Sequence, residues 1–82
     1  MARYYFDLHD SGSVIYPDDV GDELPSDVAA RDVAVQTIGQ MAGDFTRRHL
    51  EGRISVEVRD GDGPILRFSA NLKLTPLRKP PH

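Results

Sequence analysis

Apolar residues recur along this chain with two periods. From Arg3 to His9 they alternate, with Tyr4, Phe6 and Leu8 on one side and Arg3, Tyr5, Asp7 and His9 on the other, which is the period of a half-buried strand. Val14 to Tyr16 reads as a second, short strand. Between Leu24 and Phe45 the period lengthens: Ala30, Ala34, Ile38, Met41 and Phe45 follow at steps of four, four, three and four. At about 100° per residue these form one apolar stripe of a helix, flanked by Val35 and Ala42. Alternation returns from Arg53 to Arg59, with Ile54, Val56 and Val58 on one face, and again through Leu66, Phe68, Ala70, Leu72 and Leu74.

The helix ends carry matching signals. Ser26, after Pro25, can accept a first-turn amide, and Asp27 suits the positive dipole end. Arg47 and Arg48 suit the opposite end, and Gly52 with the change of period places the stop between Gly43 and Leu50. Asp10, Ser11 and Gly12 read as a three-residue hairpin loop, and so do Gly61, Asp62 and Gly63. The first loop sets His9 opposite Ser13, Leu8 opposite Val14 and Phe6 opposite Tyr16. The second sets Val58 opposite Leu66, Val56 opposite Phe68 and Glu57 opposite Arg67.

These elements predict an α+β domain of order β-β-α-β-β over residues 1–75, a four-stranded antiparallel sheet in the order 2-1-3-4 with one helix on one face. Ile38, Met41, Phe6, Val56 and Phe68 are expected to meet in the core. The other face keeps Tyr5, Ile15 and Ile65 among polar groups. From Pro76 the tail holds Pro80, Pro81, Arg78 and Lys79 and is expected to be disordered over 76–82.

The opening Arg3-Tyr4-Tyr5-Phe6-Asp7-Leu8-His9-Asp10, with Asp18 to Leu24 and Ala29-Ala30-Arg31, resembles a family of short uncharacterised bacterial proteins. The resemblance extends to about Leu74. It is to a domain of unknown function, so it implies a fold and carries over no catalytic or binding residue.

At 82 residues the chain makes one domain, of a size that buries about 60% of its unfolded surface. Having no cysteine excludes disulfides, thiolate metal sites and cysteine nucleophiles. No apolar run exceeds three residues, so neither a signal peptide nor a membrane span is expected, and a cytoplasmic location is. The net charge of -3 conceals a split: residues 1–46 hold two basic and nine acidic groups, and residues 47–82 hold eight and four. Such halves attract one another.

Chemical signatures are sparse. The acids Asp18, Asp19, Asp22 and Glu23 crowd the loop 17–23, but they come as two adjacent pairs without the alternation of a calcium loop. Asp60-Gly61-Asp62-Gly63 lacks a downstream carboxylate and reads as a hairpin. His9, His49 and His82 have no i, i+4 partner, and the glycines form no phosphate-binding motif. No metal, cofactor or catalytic residue is therefore assigned.

Arg31 stands apart, because its helical angle falls between those of Ile38 and Ala42, toward the sheet. It is expected to pair with Asp7, Asp18 or Asp19 and to pin the acidic loop over the helix N-terminus. The alternative is an anion or partner-carboxylate site.

Two functional expectations follow. The first is a non-enzymatic, self-associating interaction module, a homodimer joined through the outer sheet face or a sheet edge, with Tyr5, Ile15, Ile65, Arg67 and Arg31 as candidate contact residues. The second is a small regulatory nucleic-acid-binding protein, loosely similar to antitoxins of the HicB type, using Arg59, Arg67 and Lys73 against phosphate. The acidic balance and the lack of a recognition helix rank it lower.

Overall fold

The computed structural model describes residues 1–11, 13–49 and 51–78. In chain order they form β1 (Ala2–Asp10), β2 (Ser13–Tyr16), β3 (Asp22–Leu24), α1 (Asp27–Arg48), β4 (Gly52–Asp60) and β5 (Gly63–Leu72). The class is α+β, with one helix and one antiparallel sheet in which β2, β1, β4 and β5 lie side by side in that order. Among the described residues no helix is long and apolar enough to cross a membrane.

The expected order of the four longer strands holds, and a fifth strand is added to them. β3 was expected to be loop; instead it pairs with the start of β1, Arg3 against Glu23 and Tyr4 against Asp22. Three residues are too few to show a period, so only the pairing reveals this strand. β2 and β3 run in succession along one edge of β1, while β4 takes the other edge from Tyr5 to Asp10.

The helix begins where expected. Ser26 accepts the Ala29 amide on its hydroxyl at 3.2 Å. The last turn closes with the His49 amide donating to the Phe45 carbonyl at 2.8 Å. Tyr4, buried in β1, donates its hydroxyl to Asp27 Oδ1 at 2.6 Å and ties the helix start to the sheet. That bond, followed by burial, raises the Tyr4 pKa, because ionising the phenol would set two anions together.

Ala30, Ala34, Ile38 and Phe45 are buried from the helix, against Ile54, Val56 and Val58 of β4 and Tyr4 of β1. Phe6 and Met41 pack partly buried against this cluster. Phe68 departs from expectation at 38% exposure: it faces Val56 across the ladder, but it lies on the edge strand β5, whose other helix-side residues Leu66, Ala70 and Leu72 are themselves only partly buried. Phe45 lies so close to Gly52 that a Cβ there would run into its ring, and Gly52 has φ +151.

Both hairpins differ from the expected three-residue loops in the same way. Asp10 pairs with Ser13 and Asp60 with Gly63, leaving two-residue turns, with Ser11 left-handed at φ 53. The residue saved reappears as a bulge. His9 pairs with Val14 but Leu8 with Tyr16, so Ile15 is extra. Arg59 pairs with Pro64 but Val58 with Leu66, so Ile65 is extra. Beyond the second bulge the expected pairs Val58–Leu66, Val56–Phe68 and Glu57–Arg67 all form. Beyond the first they do not, as Leu8 meets Tyr16 rather than Val14. The bulges also correct the face of two residues. Ile15 lines a cleft beneath the helix, and Ile65 packs against the core, so neither belongs to the outer face.

Residues 76–78 carry no regular structure and are exposed. The remainder of the expected disordered tail, 79–82, lies outside the described residues.

Candidate functional site

The outer sheet face is laced with charge. Arg59 stands beside Tyr5 in the ladder, lays its guanidinium 4.5 Å from the Tyr5 ring centre and donates Nε to Asp7 Oδ2 at 2.9 Å. Its Nη2 reaches the Asp18 carbonyl at 2.5 Å. Asp7 Oδ1 accepts the Asp18 amide at 2.8 Å. The Asp18 carboxylate turns back into β1, taking the Phe6 amide at 3.0 Å, Gly21 at 3.0 Å and Val20 at 3.1 Å. Asp18 thus stands in for the missing strand between β2 and β3. Gly21 completes this bridge at φ +74, where a Cβ would meet the Tyr4 carbonyl at 2.8 Å.

The electrostatics follow from these contacts. Burial pushes the Asp7 carboxyl upward, but the Arg59 hydrogen bond and the Asp18 amide outweigh it and hold Asp7 below the usual carboxylate range. Burial likewise opposes ionisation of Asp18, and the Gly21, Phe6 and Val20 amides overcome it, again lowering the pKa. The bond to Asp7 raises Arg59.

Arg31 was expected to make this clamp. It is exposed instead, and its nearest carboxylate is the adjacent Asp32 at 3.8 Å. The helix packs over β4 and β5 and meets the acidic segment at β3, but Arg31 is turned about 60° round from Ala34 toward the exposed Val35 side. Arg59, a phosphate contact only in the nucleic-acid expectation, holds the loop. Glu23 faces Arg3 at 3.4 Å and Asp18 is turned inward onto backbone amides, while Asp19 and Asp22 are exposed. Among the described residues no group of three His, Asp or Glu side chains converges as metal ligands.

A cleft of about 430 Å³ opens between the β1–β2 hairpin and the C-terminal half of the helix, floored by Leu8, Ile15, Met41, Phe45 and Ile54. Its rim carries Asp10, Asp44, Arg48 and His49. Asp44 is paired with Arg47 at 3.6 Å and Asp10 accepts Ser11 Oγ at 3.0 Å. The His49 ring leans against Phe45, 4.9 Å between centres. His9 stands on the opposite face, so these two histidines do not converge.

The third feature is the outer edge of β5, which no strand covers among the described residues. Arg67 is exposed, but its Nη2 donates to Glu57 Oε2 at 2.5 Å, back across β4. Asn71 is drawn the same way, accepting Arg53 Nε at 3.1 Å. Both side chains that would guard the edge are therefore folded inward. Small Ser69 lies between them, and Phe68 is 38% exposed on the helix side. Val28 and Val35, seven residues apart on the helix, are exposed about 100–120° round from Ala34, on the side away from the cleft.

The family described as Domain of unknown function (DUF6894) matches residues 3–71. The chain belongs to that family. The match begins at Arg3, which braces β3, and ends at Asn71, near the end of β5, so the DUF6894 domain contains the helix and all of the sheet pairing except the terminal pairs Ala2–Leu24 and Gly52–Leu72. Comparison with curated proteins and with solved structures found no match.

Proposed function

We propose that this DUF6894 domain is a small, non-enzymatic interaction module that associates with a second copy of itself through the β5 edge. The observation that carries the reading is the condition of that edge. Among the described residues no strand pairs with the outer side of β5, and past Pro64 and the bulged Ile65 the stretch from Leu66 to Leu72 is regular, its flanking polar side chains tied back to β4 and Phe68 bared beside it. Edges in this state favour strand addition, since natural edges are otherwise blunted by outward charge, proline or strong twist. The outer face suits association less well. Tyr5 lies under Arg59, Ile15 and Ile65 have turned to the helix side, and Arg67 serves the contact through its backbone rather than its charge.

Nucleic-acid binding is the weaker reading, because Arg59 and Arg67 are engaged with Asp7 and Glu57, leaving Lys73 alone of the basic set. Sedimentation equilibrium over a concentration series is expected to give twice the chain mass at the upper end. A monomer at millimolar concentration would overturn the reading.

A further inference from the structure

The direction of each backbone group along β5 can be traced from contacts on the other side of the sheet. Phe6 gives its amide to Asp18, so Phe6 and Leu8 point away from β4, and Tyr5, Asp7 and His9 point toward it. The Ser11 amide reaches the Arg53 carbonyl at 2.8 Å, which confirms that the odd-numbered residues of β4 face β1. Ile54, Val56 and Val58 therefore bond to β5, and their partners Ala70, Phe68 and Leu66 bond inward. Arg67, Ser69 and Asn71 present free amides and carbonyls along the open edge.

The regular stretch of that edge is limited. Pro64 lacks an amide and Ile65 is the bulge, so even pairing begins at Leu66 and runs to Leu72, opposite Gly52. The midpoint is Ser69. Resting on the self-association reading, we infer that two copies join antiparallel about a two-fold axis through Ser69, making one continuous sheet with both helices on the same face. Ser69 then meets Ser69 of the second copy, and Arg67 meets Asn71, each as a narrow pair exchanging two hydrogen bonds. On the helix side Phe68 meets Ala70 and Leu66 meets Leu72, so apolar groups oppose apolar ones.

The neighbouring registers are worse. An axis at Arg67 sets that arginine against itself, and one at Ala70 sets Arg67 against Lys73. An axis at Asn71 shortens the paired span, and one at Phe68 draws the bulged Ile65 opposite Asn71. An axis between residues would put helix-side positions against outer ones.

The chain has no cysteine, so single replacements report cleanly. Opposed Cβ atoms of such a hydrogen-bonded pair lie about 5.5 Å apart, beyond the roughly 3.5–4.5 Å of a disulfide but within reach of a short thiol–thiol cross-linker. With such a reagent Ser69→Cys is expected to form a cross-linked dimer about tenfold faster or more than Arg67→Cys or Asn71→Cys, whose self-pairs sit about 13 Å out of register. Mixing the Arg67→Cys and Asn71→Cys chains is expected to yield the heterodimer. Ser69→Pro removes only an outward amide, so it is expected to stay folded by circular dichroism and to run as a monomer. A dimer that cross-links fastest at Arg67, Ala70 or Asn71, or that survives Ser69→Pro, would overturn this axis and leave self-association standing. A wild-type monomer would overturn both.

Discussion

Arg59 reaches from β4 to Asp7 at 2.9 Å, joining the second, basic half of the chain to the first, acidic one. The same guanidinium holds the Asp18 carbonyl and covers Tyr5, so one side chain fixes a loop, a strand and an aromatic ring. A forked, planar cation can make these contacts together, and an ammonium cannot.

Arg59→Lys is therefore expected to lower the melting temperature and to speed proteolysis within residues 17–21. Arg31→Lys, at an exposed site beside Asp32, is expected to change stability by less than about 0.5 kcal/mol. Thermal melts of the two variants check the contrast. A larger loss from Arg31→Lys would mean that it, and not Arg59, holds the loop.

Acid should attack the same region. The folded pKa values of Asp7 and Asp18 lie below their unfolded values, so the stability they contribute is complete above the ordinary carboxylate pKa of about 4 and is lost as pH falls through the folded values. Asp18→Asn removes one of these titrations and leaves backbone amides facing a poorer acceptor. At pH 7 it is expected to cost about 1–3 kcal/mol by urea unfolding, and its stability is expected to fall less steeply than wild type below pH 4. Parallel pH curves for the two proteins would refute the assignment.

Gly52 sits where β4 starts beneath the Phe45 ring, with no room for a Cβ and with a φ that L-residues rarely adopt. Gly52→Ala is expected to cost about 1–3 kcal/mol, since Phe45 is buried and must shift. Double substitution with Phe45→Leu, which shortens the side chain over the site, is expected to recover part of that loss. Additive losses in chemical denaturation would show that the two residues do not clash.

The helix and three of the strands were legible because each repeats its period over several residues, and β2 because an apolar run, Val14 to Tyr16, follows a turn-forming stretch; Ser26 and Arg48 mark the helix ends as capping chemistry predicts. Their order was legible from chain connectivity. β3 was not, since Asp22, Glu23 and Leu24 look like acidic loop until Arg3 and Tyr4 are set beside them. The bulges at Ile15 and Ile65 were hidden for a related reason. A two-residue turn with a bulge and a three-residue loop use the same residues, and only pairing distinguishes them. The placement of Arg31 failed because a helical wheel gives an angle but not which strands lie beneath. Arg59 was half legible: the expected order and alternation put it on the outer face of a strand beside β1, but the register that sets it opposite Tyr5 and one step from Asp7 appears only in the pairing.

Ile38 and Phe68 test where the core ends. Ile38 is 6% exposed and packs among Ala34, Phe45 and the β4 valines, where a lost side chain leaves a cavity the backbone cannot close. Ile38→Ala is expected to cost about 2–5 kcal/mol. Phe68 was expected to lie as deep, yet the edge position leaves its ring partly in water. Phe68→Thr keeps a branched strand former there and is expected to cost about 1 kcal/mol in the monomer. Urea titration in dilute solution, below the association range, measures both without a contribution from a second copy. If Phe68→Thr destabilises the dilute chain as much as Ile38→Ala, the ring is core and β5 is not the bared edge described above.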